Sequence, residues 1–240
     1  MAQGWRPDAY KAFAACDASR VHVLTFDYRG FGRSTGIPSE EGLIEDGMAV
    51  VKWALQVAHV PAHRIVLVGH SLGTAVVTAV LERLSTEMHD DLDFAGLVLI
   101  SAFSDIPNLM KTYMIGGFIP VLSPLKPYPR LEKLVSGRIV DKWNTTSRLY
   151  EFAKRSRRTR IIILHAKNDY NIGWKHSDVL FEAAVLGMKS RPPSAMPRSM
   201  PARELSADGN MARTWSPNGQ DYVKQTILGY GGVYALPLSH

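Results

Sequence analysis

The chain has 240 residues, of which 46% are hydrophobic and 21% are charged, and its formal net charge is +6. This length and apolar content suffice for one sizeable core with a small subdomain. The single cysteine, Cys16, excludes a disulfide framework and a cysteine-rich metal site. An apolar run of membrane-spanning length and a signal-peptide pattern are both absent, so the chain by itself predicts a soluble or membrane-peripheral protein.

The first predicted elements are a strand and a helix. Residues 21–26 (VHVLTF) form a short apolar run that predicts a strand. Ser39 is the predicted N-cap of the helix that follows, and Glu40 and Glu41 suit the positive end of its dipole. Apolar residues recur at four-three-four spacing and give this helix one apolar face: Ile44, Met48, Val51 and Leu55.

The next strand leads directly into a Gly-x-Ser-x-Gly motif. The run RIVLV (64–68), which is apolar after Arg64, is followed by Gly69, Ser71 and Gly73, and a helix rich in small residues starts at about Thr74. In this strand–turn–helix context the serine sits on a strained turn and is presented as a nucleophile. Both glycines are expected to be required, because a Cβ at either position would strike the neighbouring strand or helix. The alternative for Ser71 is an incidental turn.

Further strands alternate with helices toward the C-terminus. Apolar runs predict strands at 96–100 and 161–164, a helix follows at 175–186, and 222–228 is a last, more polar strand. This alternation predicts an α/β fold with a mostly parallel sheet and helices on both faces. Residues 188–220, rich in Pro, Ser, Met and Arg, predict a loosely ordered insertion.

Between the third and fourth predicted strands lies a proline-punctuated, apolar segment. Its prolines exclude a long helix. We interpret 105–160 as a lid inserted between core segments 1–104 and 161–240, with an apolar side that faces an acyl chain. The alternative is that these apolar residues only pack against the rest of the protein. The candidate lid residues are Met110, Met114, Ile115, Phe118 and Ile119.

Positive charge is concentrated just before the strand at 161–164. A solvated loop is the plainer interpretation of this cluster, and peripheral contact with anionic lipid headgroups is the alternative. The cluster has no interleaved aromatic residues and no nucleic-acid fold signature, which argues against nucleic-acid binding. Its members are Lys154, Arg155, Arg157, Arg158 and Arg160.

Several stretches resemble the alpha/beta hydrolase domain-containing protein 12 family and its fungal relatives, which are monoacylglycerol and lysophospholipid lipases with the α/β-hydrolase fold. The similarity runs over most of residues 3–186 and again over 222–232. The matching stretches are DYRGFGRSTGIPSEEGLIED (27–46), RIVLVGHSLGTAV (64–76), DKWNTTSRL (141–149) and ILHAKNDYNIGWKHS (163–177).

The resemblance implies a Ser–acid–His triad in that chain order, with Ser71 as nucleophile and Asp169 as acid, and without cofactor or metal. An aspartate just past the carboxyl end of a parallel strand independently fits this role. The alternative for Asp169 is a turn cap. The backbone N–H of Leu72, the residue after the nucleophile, is the predicted oxyanion donor.

The chain departs from the family pattern at both ends. The family's His-Gly oxyanion loop and its strand would lie before residue 1, and the final helix is also missing. The family places its histidine directly after LGYGG (228–232), where this chain has Val233. His240 is the only histidine beyond the last strand, so we predict it as the general base. The alternative is a frayed terminus.

The sequence therefore predicts a serine ester hydrolase that acts on a lipid-like carboxylic ester, a monoacylglycerol or lysophospholipid, through an acyl-enzyme on Ser71. A truncated and catalytically impaired or inactive protein of the same fold is the alternative. A peptidase or an acyltransferase is a further one, since fold does not determine substrate. Relatives in the family are often tethered to membranes by a segment that precedes the similarity.

Overall fold

The computed structural model describes residues 6–15, 17–88, 93–112, 114–115, 119–120, 140–156, 158–190, 204–205, 209–216 and 222–230. The helices in these ranges are α1 (Arg6–Ala15), α2 (Glu40–Gln56), α3 (Leu72–Glu87), α4 (Ile106–Thr112), α5 (Thr145–Arg155) and α6 (Lys175–Lys189). The strands are β1 (Val66–His70), β2 (Gly96–Ile100), β3 (Met114–Ile115), β4 (Ile119–Pro120), β5 (Arg160–Ala166), β6 (Glu204–Leu205), β7 (Met211–Trp215) and β8 (Val223–Leu228).

Six strands form the main sheet in the order β1-β2-β5-β8-β7-β6. The first four run parallel, whereas β7 and β6 are antiparallel to their neighbours. Because parallel strands end on the same side, the residues that follow β1, β2, β5 and β8 gather along one edge of the sheet. The predicted α/β fold with a mostly parallel sheet is confirmed.

Helices α2, α3, α5 and α6 form a connected layer on one face of this sheet. Leu67, Leu97 and Ile161 lie side by side on that face and are buried. Helices α5 and α6 approach closely at Gly187, where a Cβ would overlap the carbonyl oxygen of Tyr150. Among the described residues, no helix combines the length and apolar character needed to cross a membrane.

The predicted cap of α2 is confirmed. Ser39 has extended backbone angles, and its hydroxyl accepts a hydrogen bond from the Gly42 N–H at 3.2 Å. The carboxylate of Glu40 in the first turn reaches α5, where it lies 2.7 Å from Arg148 and accepts the N–H of Trp143 at 2.9 Å. The N-terminus of α2 is therefore bonded to the N-terminal part of α5 and to the residues just before it.

The predicted strand at 21–26 is wrong. These residues belong to no strand, and Leu24 and Phe26 are 56% and 37% exposed. A strand needs a neighbour to satisfy its amide groups, and β1, the first strand of the described sheet, pairs with β2 alone. Leu24 and Phe26 instead line an open apolar hollow of about 320 Å³ with three residues of α2: Ala49, Val50 and Trp53.

The insertion at 188–220 contains more order than predicted. Strand β7 lies within it and pairs antiparallel with β8, which buries Trp215. The side-chain oxygen of Asn210 accepts the N–H of Gly229 at 2.8 Å and closes the end of this pair. Helix α6 also extends to Lys189, past the predicted end at 186.

The segment 105–160 begins with the short helix α4 and the small β3–β4 ladder, in agreement with a proline-interrupted excursion. Helix α5 also falls within this range. Leu149 and Phe152 of α5 are fully buried, and the helix packs on α3 and α6 as part of the body of the fold. The predicted boundaries of the three segments stay a prediction.

Candidate active site

Ser71 occupies the turn between β1 and α3. Its backbone angles are φ 51° and ψ −120°, a left-handed conformation that is costly for a residue with a side chain. Its N–H donates to the carbonyl of Ile100 at 3.0 Å, and its own carbonyl accepts both the N–H and the hydroxyl of Thr74. These bonds hold the strained turn, while the Ser71 hydroxyl bonds to none of the described residues.

The two glycines of the motif differ in what they contact. A Cβ on Gly69 would lie 2.5 Å from the carbonyl oxygen of Gly73 and 2.7 Å from the Cα of Thr74, so the close approach of β1 and α3 requires glycine there. A Cβ on Gly73 would meet only the Tyr28 hydroxyl at 3.7 Å, an ordinary contact. The expectation that both positions need glycine for space is therefore wrong for Gly73.

The N–H of Leu72 lies in the first turn of α3, directly after Ser71. It bonds to no acceptor within the part of the chain that the structure describes. Amides in the first turn of a helix lack an intrahelical acceptor and carry the positive end of the helix dipole. This is the electrostatic environment that a developing negative charge beside Ser71 would need.

Asp169 follows β5 on the edge of the sheet that also carries Ser71, and its side chain is fully buried. One carboxylate oxygen, Oδ1, accepts the N–H groups of Asn171 at 3.1 Å and Ile172 at 2.9 Å. The turn-cap interpretation is thus correct for this oxygen. Among the described residues, Oδ2 has no hydrogen-bond partner, although a buried carboxylate oxygen ordinarily has one.

Two opposing influences act on the Asp169 carboxyl. Burial by itself raises its pKa, but the nearby imidazole of His165 and the Ile172 amide lower it, and the hydroxyl of Ser101 adds to that effect. The net pKa lies below the ordinary value of 3.8, so Asp169 is a carboxylate at neutral pH.

His165, which lies on β5, is a residue of this site that no sequence pattern singled out. It is buried, with Nε2 2.8 Å from the carbonyl oxygen of Ile172 and Nδ1 2.5 Å from the hydroxyl of Ser177 on α6. Its Nε2 is also 3.6 Å from Oδ2 of Asp169. No motif marks these contacts, because they join residues from a strand, a loop and a helix.

A second histidine, His176, lies at the start of α6 and bonds to the loop after β2. Its Nδ1 is 3.0 Å from the hydroxyl of Ser104 and 3.4 Å from the Ser104 N–H. A backbone N–H can only donate, so Nδ1 is the acceptor and the ring is neutral. Burial lowers the pKa of His176 below 6.5, in agreement with that state.

Some predicted residues lie outside the described part of the chain. These are His240, Phe118 and Arg157, together with the side chains of Met114, Ile115 and Ile119. Met110 is half-buried at the end of α4. Within the described ranges, no group of three or more His, Cys, Asp or Glu side chains is arranged to hold a metal ion.

Part of the basic cluster interacts with the protein itself. Arg155 lies 3.6 Å from Glu82 and 3.4 Å from Glu151, and the Arg160 guanidinium stands over the ring of Tyr222 at 5.5 Å. These contacts accord with an exposed protein surface. Contact with an anionic membrane through the cluster stays a prediction.

A mostly parallel sheet with a strained serine between the first parallel strand and its helix defines the α/β-hydrolase class. Residues 2–226 match the alpha/beta hydrolase family, and the chain belongs to this family. The crystal structure of an alpha-beta hydrolase from Vibrio vulnificus has the same fold, with a TM-score of 0.51, 17% identity and coverage of 67% of this chain and 51% of that one.

Two curated relatives are similar over parts of the sequence. The uncharacterized protein YfhR of Escherichia coli strain K12 is 29% identical over 175 residues, which cover 68% of this chain and 59% of YfhR. The mouse lysophosphatidylserine lipase ABHD12 is 37% identical over 108 residues, which cover 45% of this chain and 25% of that lipase. This chain thus spans about three fifths of the bacterial relative and a quarter of the lipase.

Proposed function

We propose that this chain is a serine hydrolase that cleaves a carboxylic ester through an acyl-enzyme on Ser71. One observation carries the proposal. Ser71 has a left-handed backbone at the junction of β1 and α3, and its hydroxyl has no partner among the described residues. Such strain persists only where the surrounding structure imposes it, and here it presents an alcohol beside a helix N-terminus.

The reaction follows from the groups around this serine. A general base takes the Ser71 proton as its oxygen attacks the ester carbonyl, and the Leu72 N–H donates to the oxyanion that forms. The base then gives its proton to the departing alcohol, and water releases the acid from the acyl-enzyme. In this proposal His240 is the base, and Oδ2 of Asp169 accepts its second ring N–H.

The proposed substrate is a monoacylglycerol or a lysophospholipid. Its support is the partial similarity to a lysophosphatidylserine lipase and the apolar character of the segment that contains Met110 and Met114. Apolar side chains beside the serine would bind an acyl chain, while the ester carbonyl takes the same place for any substrate. The ester chemistry therefore does not depend on which lipid is correct.

The test measures hydrolysis of nitrophenyl esters of increasing acyl length, and fatty-acid release from a monoacylglycerol and a lysophospholipid. Ser71→Ala removes the nucleophile and should reduce turnover at least about 1,000-fold. Ser85→Ala is the matched control, since it makes the same change on α3 at a serine whose hydroxyl bonds only within the helix. Equal turnover by wild type and Ser71→Ala would contradict the mechanism. Faster cleavage of acetyl than of long-chain esters would contradict the lipid substrate.

A further inference from the structure

We propose that His165 is a positioning residue that fixes the Asp169 loop so that Oδ2 stays available to the catalytic imidazole. The inference rests on the proposed function, because it assigns Oδ2 to the general base. Its structural basis is the bonding of one short loop, 169–172, to the strand before it and the helix after it.

The contacts of His165 define which ring nitrogen carries the proton. The carbonyl of Ile172 can only accept, so the Nε2 atom at 2.8 Å is the donor. In the neutral ring Nδ1 is then an acceptor, and the Ser177 hydroxyl at 2.5 Å donates to it. Both nitrogens are therefore satisfied, and the ring joins β5 to the loop and to α6.

Both backbone polar groups of Ile172, its N–H and its carbonyl, form hydrogen bonds. Its N–H donates to Oδ1 of Asp169 at 2.9 Å, and its carbonyl accepts Nε2–H of His165 at 2.8 Å. The Asn171 N–H gives Oδ1 a second donor at 3.1 Å. Rotation of the carboxylate would break the two bonds to Oδ1, so its orientation is fixed as long as Ile172 stays in place.

The same bonds explain why Oδ2 of Asp169 has no hydrogen-bond partner among the described residues. The Nε2 atom of His165 is close to Oδ2, but the separation of 3.6 Å is too long for a hydrogen bond and the Nε2 proton already points to Ile172. A buried carboxylate oxygen without a donor costs free energy that a further N–H would recover. His165 thus lies beside the carboxylate without occupying the position that the general base needs.

Two substitutions of similar size separate hydrogen bonding from packing. His165→Leu fills the space without a donor, whereas His165→Gln places an amide N–H near the position of Nε2. Ser177→Ala is a milder third variant, since it keeps the ring and removes only the donor to Nδ1. All three are compared with wild type for folding before any rate is measured.

The first readout is amide hydrogen exchange at Asn171 and Ile172, which needs no activity. His165→Leu should accelerate this exchange about tenfold, the effect of losing one bond of about 1.4 kcal/mol, and His165→Gln should restore it. Unchanged exchange in His165→Leu would overturn the proposal. If His165→Leu does not fold, the same comparison is made with Ser177→Ala.

The second readout is the kinetics of a short nitrophenyl ester. Misorientation of Asp169 should lower kcat about 10- to 100-fold in His165→Leu with KM unchanged, and His165→Gln should recover most of it. A wild-type kcat in a folded His165→Leu variant would overturn the proposal and leave the serine mechanism standing. An inactive wild type with the expected exchange pattern would overturn the proposed function and support the assigned loop contacts of His165.

Discussion

Ser71 and Ser101 directly follow the neighbouring parallel strands β1 and β2, and both have a positive backbone φ, 51° and 50°. They are joined through the adjacent residue, because the Ser71 N–H donates to the carbonyl of Ile100. Ser101 is buried, and its hydroxyl is one of the groups that lower the pKa of Asp169. Because β2 lies between β1 and β5 in the sheet, Ser101 is placed between the proposed nucleophile Ser71 and the proposed acid Asp169.

A pair of substitutions at Ser101 separates backbone strain from the hydroxyl. Both Ser101→Ala and Ser101→Gly remove the hydroxyl, but only glycine adopts this φ without a steric penalty. The free energy of unfolding, measured by urea denaturation, should be higher for the glycine variant than for the alanine variant by about 1 kcal/mol. A more stable alanine variant would show that the left-handed conformation is not strained.

A second prediction concerns the glycines of the elbow. Gly69→Ala places a methyl group against backbone atoms of Gly73 and Thr74 that cannot move independently, so it should cost about 1–3 kcal/mol of unfolding free energy. Gly73→Ala meets only the Tyr28 hydroxyl at contact distance and should change stability by less than about 0.5 kcal/mol. Similar losses at both positions would contradict the packing described for β1 and α3.

The third prediction is a pH dependence that arises from His176. Burial places the pKa of His176 in the folded chain below the ordinary value of 6.5, so the unfolded chain binds this proton more readily. The contribution of His176 to stability is therefore complete above pH 6.5 and is lost as the pH falls toward the folded pKa. Two neighbours also act on the pKa of His176: His165 lowers it and Asp105 raises it.

His176→Asn tests this assignment, since its side-chain oxygen can accept from Ser104 as Nδ1 does but does not titrate. Urea unfolding at several pH values from 7.5 to 5 should show a smaller decline in unfolding free energy for the variant than for wild type. Parallel pH profiles for the two proteins would mean that His176 does not contribute to acid sensitivity.

The sheet was predictable wherever a strand is apolar and buried. Strands β2 and β5 come from runs such as GLVLI, and the cap of α2 follows from the chemistry of Ser39. The segment 21–26 shows the limit of that reasoning, because an apolar run forms a strand only beside a partner. Strand β7 and helix α5 were not predicted, because both sequences, MARTW and TTSRLYEFAKR, are rich in polar residues. The apolar residues of these two elements become buried only when β7 pairs with β8 and α5 packs on α6.

The candidate site likewise contains some residues that the sequence marks and others that only the folded structure brings together. Ser71, Leu72 and Asp169 could be singled out because motif and strand position mark them. The roles of His165, Ser101 and Ser177 could not, because each depends on distances between segments that are remote in sequence. Gly73 shows that a motif residue can be predicted for a reason that its surroundings do not support.

The central claim is that Ser71 is an activated nucleophile, and covalent labelling tests it most directly. Intact-mass spectrometry after treatment with a fluorophosphonate probe should show one adduct on the wild-type chain and on Ser85→Ala, and none on Ser71→Ala. Peptide mapping should place the adduct on Ser71. A folded wild-type chain that stays unlabelled, or a Ser71→Ala variant labelled as fully as wild type, would contradict the account.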